Sequence, residues 1–184
     1  MAADLDPETK LNVYMLIVNR YKDLISKQEE RSVSEIRQRI SPYNDHIKSL
    51  RDKLLSDFQP YTYDRDFLQA AQRAICHVRE IRTCKFLLTF WMTFEEMEEL
   101  RVAGVMDKAL LLTALLRSLD CQTARVVVTK SERVFVGFDW RGDRYLVVPE
   151  SGSLLSGDDA SRQLAEDPPA YSFSDLAYEN YEEG

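Results

Sequence analysis

Histidine and cysteine are scarce in this sequence of 184 residues, which has two imidazoles and three thiols. The thiols of Cys76, Cys84 and Cys121 are unevenly spaced and form neither a C-x-x-C pair nor a Cys/His metal pattern. The spacing therefore indicates neither a zinc site nor a disulfide framework, and no cofactor is expected. Cys76 is followed by His77, and adjacent side chains on a helix do not face each other. We expect each cysteine to be a buried structural residue.

Long apolar runs are missing as well. No stretch approaches the length of a membrane span, and the segment Met1–Asp6 has neither the basic start nor the apolar stretch of a signal peptide. Free cysteines without an export signal favour a reducing cytoplasm and no membrane partner. A composition with 45% hydrophobic and 30% charged residues is typical of a soluble globular protein.

Basic residues are outnumbered, and the net charge of -7 is concentrated at one end of the chain. The segment from Asp158 to Gly184 has eight acidic residues and one basic residue, so the rest of the chain is neutral overall. This distribution argues against a broad basic surface for nucleic acid. A local basic cluster remains, although solvated helix faces have the same pattern. Its members are Arg31, Arg37, Arg39, Lys48, Arg51 and Lys53.

The first 83 residues form a predicted helical region. Asp6 offers an N-cap and Pro7 a first helical residue. Two apolar series follow at spacings of three and four. They are Leu11, Tyr14, Val18, Tyr21 and Ile25, and then Ile36, Ile40, Tyr43, Ile47, Leu50, Leu54 and Phe58. A new helix is expected to begin at Ser41–Pro42, and another at Asp64.

Residues 84–184 predict a mixed core. Lys85–Phe90 is a short strand candidate, and Thr93 opens a capping box before a brief helix. The leucine-rich segment around Leu110 is apolar almost all round and predicts a central buried helix. Strands are predicted at Thr123–Val128, Arg133–Trp140 and Arg144–Val148, with a turn at Arg141–Gly142.

The expected fold is therefore α+β, with N-terminal helices packed on a core that has a central buried helix and an antiparallel β-sheet. The two regions, 1–83 and 84–184, are expected to form one compact unit. The apolar helix faces are expected to be buried against each other and against this core. The alternative is that one face accepts a partner helix or a second copy of the chain.

Between Trp91 and Glu150 the order of motifs resembles the transglutaminase-like superfamily, a cysteine-protease-like fold. The segment Trp91–Glu96 is similar to W-x-T-x-E-E, and Ala103–Leu112 is similar to G-D-C-E-D-K-A-L-L-L. A hairpin follows in the place where active members carry His and then Asp. The resemblance implies a scaffold with the central helix packed on this hairpin.

The same alignment places Val105, Arg133 and Val148 at the family's Cys, His and Asp positions. Valine cannot attack a carbonyl, and arginine stays protonated and cannot act as a general base. The resemblance therefore implies a pseudoenzyme that lacks thiol acyl-transfer chemistry. Arg133 and its neighbour Phe135 are expected to project toward the start of the central helix.

Four residues are candidates for the remaining cleft: Trp91, Met106, Asp107 and Phe135. We expect Arg133 to contact Asp107 or a nearby carboxylate, because a partly buried guanidinium needs a partner.

Three functions are consistent with these patterns. The first is an inactive transglutaminase-like protein that binds a protein or peptide partner. The second is a nucleic-acid-associated protein that uses an inactive transglutaminase fold. The third is an enzyme of unrelated mechanism built on Glu95, Glu96 and Glu99. Such carboxylates are usually solvated surface charge.

Overall fold

The computed structural model describes residues 6–88 and 90–181, and its fold is α+β. The described helices are α1 Pro7–Gln28, α2 Val33–Arg39, α3 Asp45–Leu54, α4 Tyr63–Arg79, α5 Phe94–Leu100, α6 Val105–Ser118 and α7 Asp158–Glu166. The described strands are β1 Arg82–Thr83, β2 Val102–Ala103, β3 Arg125–Thr129, β4 Val134–Trp140, β5 Asp143–Val148, β6 Ser153–Ser156, β7 Pro169–Phe173 and β8 Tyr178–Asn180.

Local sequence signals begin several of these helices. The Asp6 carboxylate accepts the backbone N–H of Thr9, as the predicted cap requires. Thr93 forms the predicted capping box at α5, since its hydroxyl accepts from the backbone of Glu96 and the Glu96 carboxylate accepts from the backbone of Thr93. Helix α4 begins at Tyr63, one residue before the predicted start.

The predicted helix start at Ser41–Pro42 is wrong. These residues lie in a turn, and α3 begins at Asp45 with Asn44 as its cap. The Asn44 side chain accepts the backbone N–H groups of His46 and Ile47, which satisfies two of the donors that a helix start leaves open. A helix that began at Ser41 would contain Asn44 in its interior, where the side chain could not form this cap.

Helix α6 is the central helix. Every residue from Asp107 to Ser118 is buried. Helices α3 and α4 pack on one side of α6, and the sheet packs on the other, in a single hydrophobic cluster that runs through both regions of the chain. The predicted buried central helix is confirmed.

The large sheet is antiparallel, with the strand order β6-β5-β4-β3-β7-β8. The turn between β4 and β5 has positive φ at Arg141 (54°) and at Gly142 (87°), the combination that matches the twist of a two-residue hairpin. A separate parallel pair, β1 with β2, precedes α6 and brings Thr83 beside Ala103.

Each face of the large sheet packs against a different helix. Val126, Val136 and Phe138 point toward α6 and join the main cluster. Val127, Phe135 and Leu146 point to the opposite face and form a second cluster with Ala160 of α7. Side chains alternate between these faces along each strand, so neighbouring strand residues point to opposite sides of the sheet.

Lys85–Phe90 does not form the predicted strand. The backbone N–H of Cys84 still bonds to the carbonyl of Ala103, but residues 85–88 and Phe90 are irregular, and Thr89 lies outside the described residues. The short strand β2 ends at Ala103, and α6 begins two residues later. The pairing between β1 and β2 therefore cannot continue.

Helix α1 departs most from expectation. It has 22 residues, none of them buried, and it exposes eight large apolar side chains. They are Leu11, Val13, Tyr14, Met15, Leu16, Ile17, Tyr21 and Leu24. The expectation that its apolar stripe is buried internally is wrong. No helix in the described parts of the chain is long and apolar enough to cross a membrane.

Candidate functional site

A groove of about 610 Å³ lies at the N-terminal end of α6. One wall is the last turns of α1, the second is the irregular segment after β1, and the floor is the start of α6. Its lining residues are Lys22, Asp23, Ser26, Thr83, Cys84, Lys85, Phe86, Leu87, Leu88, Phe90, Trp91, Gly104, Val105, Met106, Asp107 and Glu150. Trp91, Val105, Met106 and Asp107, four of the residues singled out from the sequence, therefore lie together.

Asp107 is the buried polar residue of this groove. It occupies the third position of α6 and accepts hydrogen bonds from the backbone of Gly104 and of Met92. Burial raises the pKa of Asp107 to about 6, while Arg39 and the two backbone bonds oppose the rise. Its Oδ1 atom has no hydrogen-bond partner among the described residues. The carboxyl is therefore half protonated near pH 6 and mostly ionised at pH 7.

Arg39 of α2 lies beside two lining residues of the groove, Trp91 and Asp107. Its guanidinium lies 5.1 Å from the centre of the Trp91 ring, donates to the carbonyl of Met92, and lies 4.0 Å from Oδ1 of Asp107. The indole N–H of Trp91 in turn donates to the carbonyl of Glu29 at the end of α1, at 3.0 Å. An arginine does face Asp107, but it comes from the helical region.

The predicted contact between Arg133 and Asp107 is wrong. Arg133 lies over the ring of Phe135, with its guanidinium carbon 4.9 Å from the ring centre, and Asp167 is the carboxylate close to it. Phe135 belongs to the cluster that packs on α7. Arg133 is therefore on the sheet face that points away from α6 and from Val105.

Val148 lies on the same distant face as Arg133, because it packs against the cluster formed with α7. The predicted convergence of Val105, Arg133 and Val148 around one concavity is therefore wrong, and Phe135 is also outside the groove. The strand residue that faces α6 at this level is Val134, which packs on the main cluster. The residue that faces α6 is therefore one position along from Arg133. Valine has no ionisable group, so the strand supplies no general base to Val105.

The sequence contained a signal for the correct face. The set Val134, Val136 and Phe138 is entirely large and apolar, whereas the alternate set includes Arg133 and Gly137. The more apolar set belongs against the buried central helix, since burying an unpaired guanidinium there would be costly.

The three thiols differ in exposure, and no imidazole is among the described residues that line the groove with Cys84. Cys84 lines the groove and is exposed, Cys76 is exposed, and Cys121 is buried. The expectation of burial is therefore confirmed for Cys121 and wrong for the other two. His77 lies 2.9 Å from the Glu98 carboxylate, outside the groove. No cluster of potential metal ligands occurs in the ranges 6–88 and 90–181.

Lys108 is a structural residue that the sequence analysis missed. It is completely buried, and its ammonium donates to the carbonyl of Ile81, the hydroxyl of Thr83 and the carbonyl of Glu150, at 2.9, 3.1 and 3.3 Å. Burial lowers the pKa of Lys108. Its ammonium joins the start of α6 to β1 and to the end of β5, which positions the floor of the groove.

The raised pKa of Asp107 predicts a change in the pH dependence of stability when Asp107 is replaced by asparagine. Between the pKa of the unfolded chain near 3.8 and the folded value of about 6, the folded state holds more protons, so this carboxyl destabilises the fold as pH rises. Relative to the native protein, D107N should therefore gain about 2 kcal/mol between pH 4 and pH 7. Urea unfolding across this range measures the difference.

Asp52→Asn is the matched control for this measurement, because the Asp52 side chain is 77% exposed. Its effect on the free energy of unfolding should be small, because the side chain is solvated. A D107N profile parallel to that of the native protein would contradict the raised pKa.

Comparison with protein-family models, with curated proteins and with solved structures gives no match. The resemblance to the transglutaminase-like superfamily therefore rests on the motifs around Trp91 and Asp107 alone.

Proposed function

We propose that this chain is a non-catalytic binding module that takes a protein or peptide partner. The observation that carries the proposal is α1, a helix of 22 residues that buries none of them and exposes eight large apolar side chains. Apolar patches of this size on a folded protein mark an interaction surface, because covering them removes unfavourable contact with water. The groove beside the end of α1 extends the same surface.

The chemistry of the groove supports binding over catalysis. Cys84 is the one thiol among its described lining residues, and no imidazole lines it. Thiol acyl transfer needs a base within hydrogen-bond reach of the sulfur. Asp107, the buried carboxyl of the groove, is engaged by backbone N–H groups and faces Arg39. The groove therefore presents a largely apolar surface with polar residues at its edges.

A transglutaminase-like origin is part of this proposal. Support comes from the capping box at Thr93, the Gly104 to Asp107 start of the central helix, and the antiparallel strands packed on α6. Arg133 and Val148 no longer contribute to it, because they lie on the other face of the sheet.

A protein partner has more support than nucleic acid. Three of the six residues in the basic cluster are engaged inside the molecule: Arg37 donates to Ser174, Arg39 to Met92 and Arg51 to Ser118, in each case to a backbone carbonyl. Phosphate binding relies on clustered cations that are free to meet the backbone of the nucleic acid. The Glu96 carboxylate is also engaged, in the capping box, which weakens the carboxylate-enzyme alternative.

A quantitative capture experiment tests the proposal. The tagged chain, incubated with an extract of its source cell, should retain specific proteins that Tyr14→Glu/Ile17→Glu no longer retains, since both side chains are exposed on the apolar face of α1. Asn12→Glu/Asn19→Glu adds the same charge to the polar face and should retain them. The Cys84→Ser variant should also retain these proteins, because the proposed binding involves no covalent bond to the thiol.

Two results would contradict the proposal. Equal capture by both glutamate pairs would show that the apolar face of α1 is not the contact surface. Loss of capture by Cys84→Ser alone would show that the thiol takes part in a covalent step.

A further inference from the structure

The apolar face of α1 has the repeat of a coiled coil. Leu11, Val18 and Ile25 are seven residues apart, and Tyr14 and Tyr21 lie between them at spacings of three and four. These are the a and d positions of a heptad pattern, which on paired helices form a continuous line of contacts. We call these five residues the α1 stripe. The helix is about 33 Å long at 1.5 Å per residue, so the stripe covers three turns or more.

The folded body contacts α1 close to its C-terminal end. Lys22, Asp23 and Ser26 line the groove, and Trp91 donates to Glu29. Leu11 and Tyr14, at the other end of the stripe, are 59% and 61% exposed. A partner can therefore contact Leu11, Tyr14 and Tyr21 without displacing any element of the described fold, while Val18 and Ile25 are half-buried.

The charges beside the stripe favour an antiparallel copy of the same helix. Glu8 and Lys22 both occupy the e position, which flanks the stripe on one side. In an antiparallel pair with Leu11 opposite the partner's Tyr21, the carboxylate of Glu8 lies beside the partner's Lys22, and the twofold axis creates this contact twice. Neither charge has an ion-pair partner among the residues that the structure describes.

The volumes of the stripe side chains and the positions of the two folded bodies also favour the antiparallel direction. Antiparallel pairing places the large Tyr14 and Tyr21 opposite the smaller Val18 and Leu11 of the partner, so layers of similar volume result. Parallel pairing would place tyrosine against tyrosine and valine against valine. It would also bring both folded bodies to the same end, because each body is attached at the C-terminal end of its α1.

From these observations we infer that the occupant of the α1 stripe is the stripe of a second copy, and that the protein is an antiparallel α1–α1 dimer. This inference deepens the proposed function and rests on it, since it names the partner of the same surface. In the dimer the start of the partner's α1 lies near Lys22 at the rim of the groove.

Sedimentation equilibrium of the purified chain tests the oligomeric state. The native chain should be a dimer at micromolar concentration. Tyr14→Glu should weaken the dimer at least tenfold, because it places a charge inside the helix contact without a partner. Asn12→Glu, on the polar face, should leave the dissociation constant unchanged. A monomeric native chain, or equal effects of the two variants, would overturn the inference.

Disulfide trapping tests the direction. The exposed thiols are first removed by Cys76→Ser and Cys84→Ser, while Cys121 is buried. Under mild oxidation Leu11→Cys with Tyr21→Cys in the same chain should give a covalent dimer, because facing positions meet the distance that a disulfide needs. Leu11→Cys alone should not. Trapping by Leu11→Cys alone would show a parallel pair and would overturn the antiparallel arrangement.

Failure of the dimer and failure of the proposed function are distinguishable. A monomeric native chain that still captures proteins through the apolar face of α1 overturns the dimer and leaves the binding module in place. A dimer that captures no other protein supports the inference and limits the module to self-association. A monomer that captures nothing overturns both.

Discussion

Arg117→Met is expected to lower the free energy of unfolding by about 3 kcal/mol or more, because it breaks a largely buried ion pair and leaves one partner uncompensated. The Arg117 side chain is 5% exposed, and its guanidinium donates to both oxygens of Asp175 at 2.6 and 3.0 Å. It also donates to the carbonyl of Cys121 and to the side chain of Gln122. The hydrogen bonds to Asp175 raise the pKa of Arg117, so the charge persists at all relevant pH values.

A double-mutant cycle with Asp175→Asn isolates this pair. The loss of unfolding free energy in the double variant should be about 2 kcal/mol smaller than the sum of the two single losses. Each single change already removes the pair. Arg162→Met is the matched control, since Arg162 and its partner Asp159 are 68% and 69% exposed. Its effect should stay within about 0.5 kcal/mol. Urea unfolding measures all four variants, and equal losses for Arg117→Met and Arg162→Met would contradict the assignment.

Lys108→Met is expected to cost about 3 kcal/mol, because the carbonyls of Ile81 and Glu150 and the Thr83 hydroxyl lose a common donor. Methionine matches the length of lysine, so the loss reports the hydrogen bonds more than the packing. The same change at the exposed Lys130 should have almost no effect. Thermal and urea unfolding measure the difference.

The opposite outcome for Lys108 has a clear meaning. Burial of the Lys108 ammonium carries a desolvation cost, which the charge of Glu150 opposes. Removing such a charge can stabilise a fold when the neighbouring oxygens find other donors. A neutral or more stable Lys108→Met would show that the ammonium does not hold β1 and β5 to the central helix.

Features set by short stretches of chain could be predicted from the sequence. Asp6 and Thr93 cap helices through residues three positions away, and Gly142 completes a two-residue turn. The central helix follows from an apolar surface on every side around Leu110. In each case the deciding contacts lie within a few residues, so the sequence contains all of the required information.

Features that depend on distant partners could not be predicted in the same way. Strand alternation placed Arg133 with Phe135 correctly, but which face meets α6 depends on how α6 and α7 sit around the sheet. Arg39 reaches Asp107 only because α2 folds back over the start of α6. The α1 stripe has the same spacing as a core-facing helix, so its exposure is a property of the assembled fold.

Two arginines bind the turn between β7 and β8. These contacts have a consequence for the order of folding during synthesis. Arg37 donates to the carbonyl of Ser174, and Arg117 binds the carboxylate of Asp175. The ribosome makes α6 well before it makes this turn. Until Asp175 is present, the guanidinium of Arg117 must remain hydrated, because burying it alone is costly. We therefore expect the central helix to complete its docking late, when the chain beyond α7 becomes available.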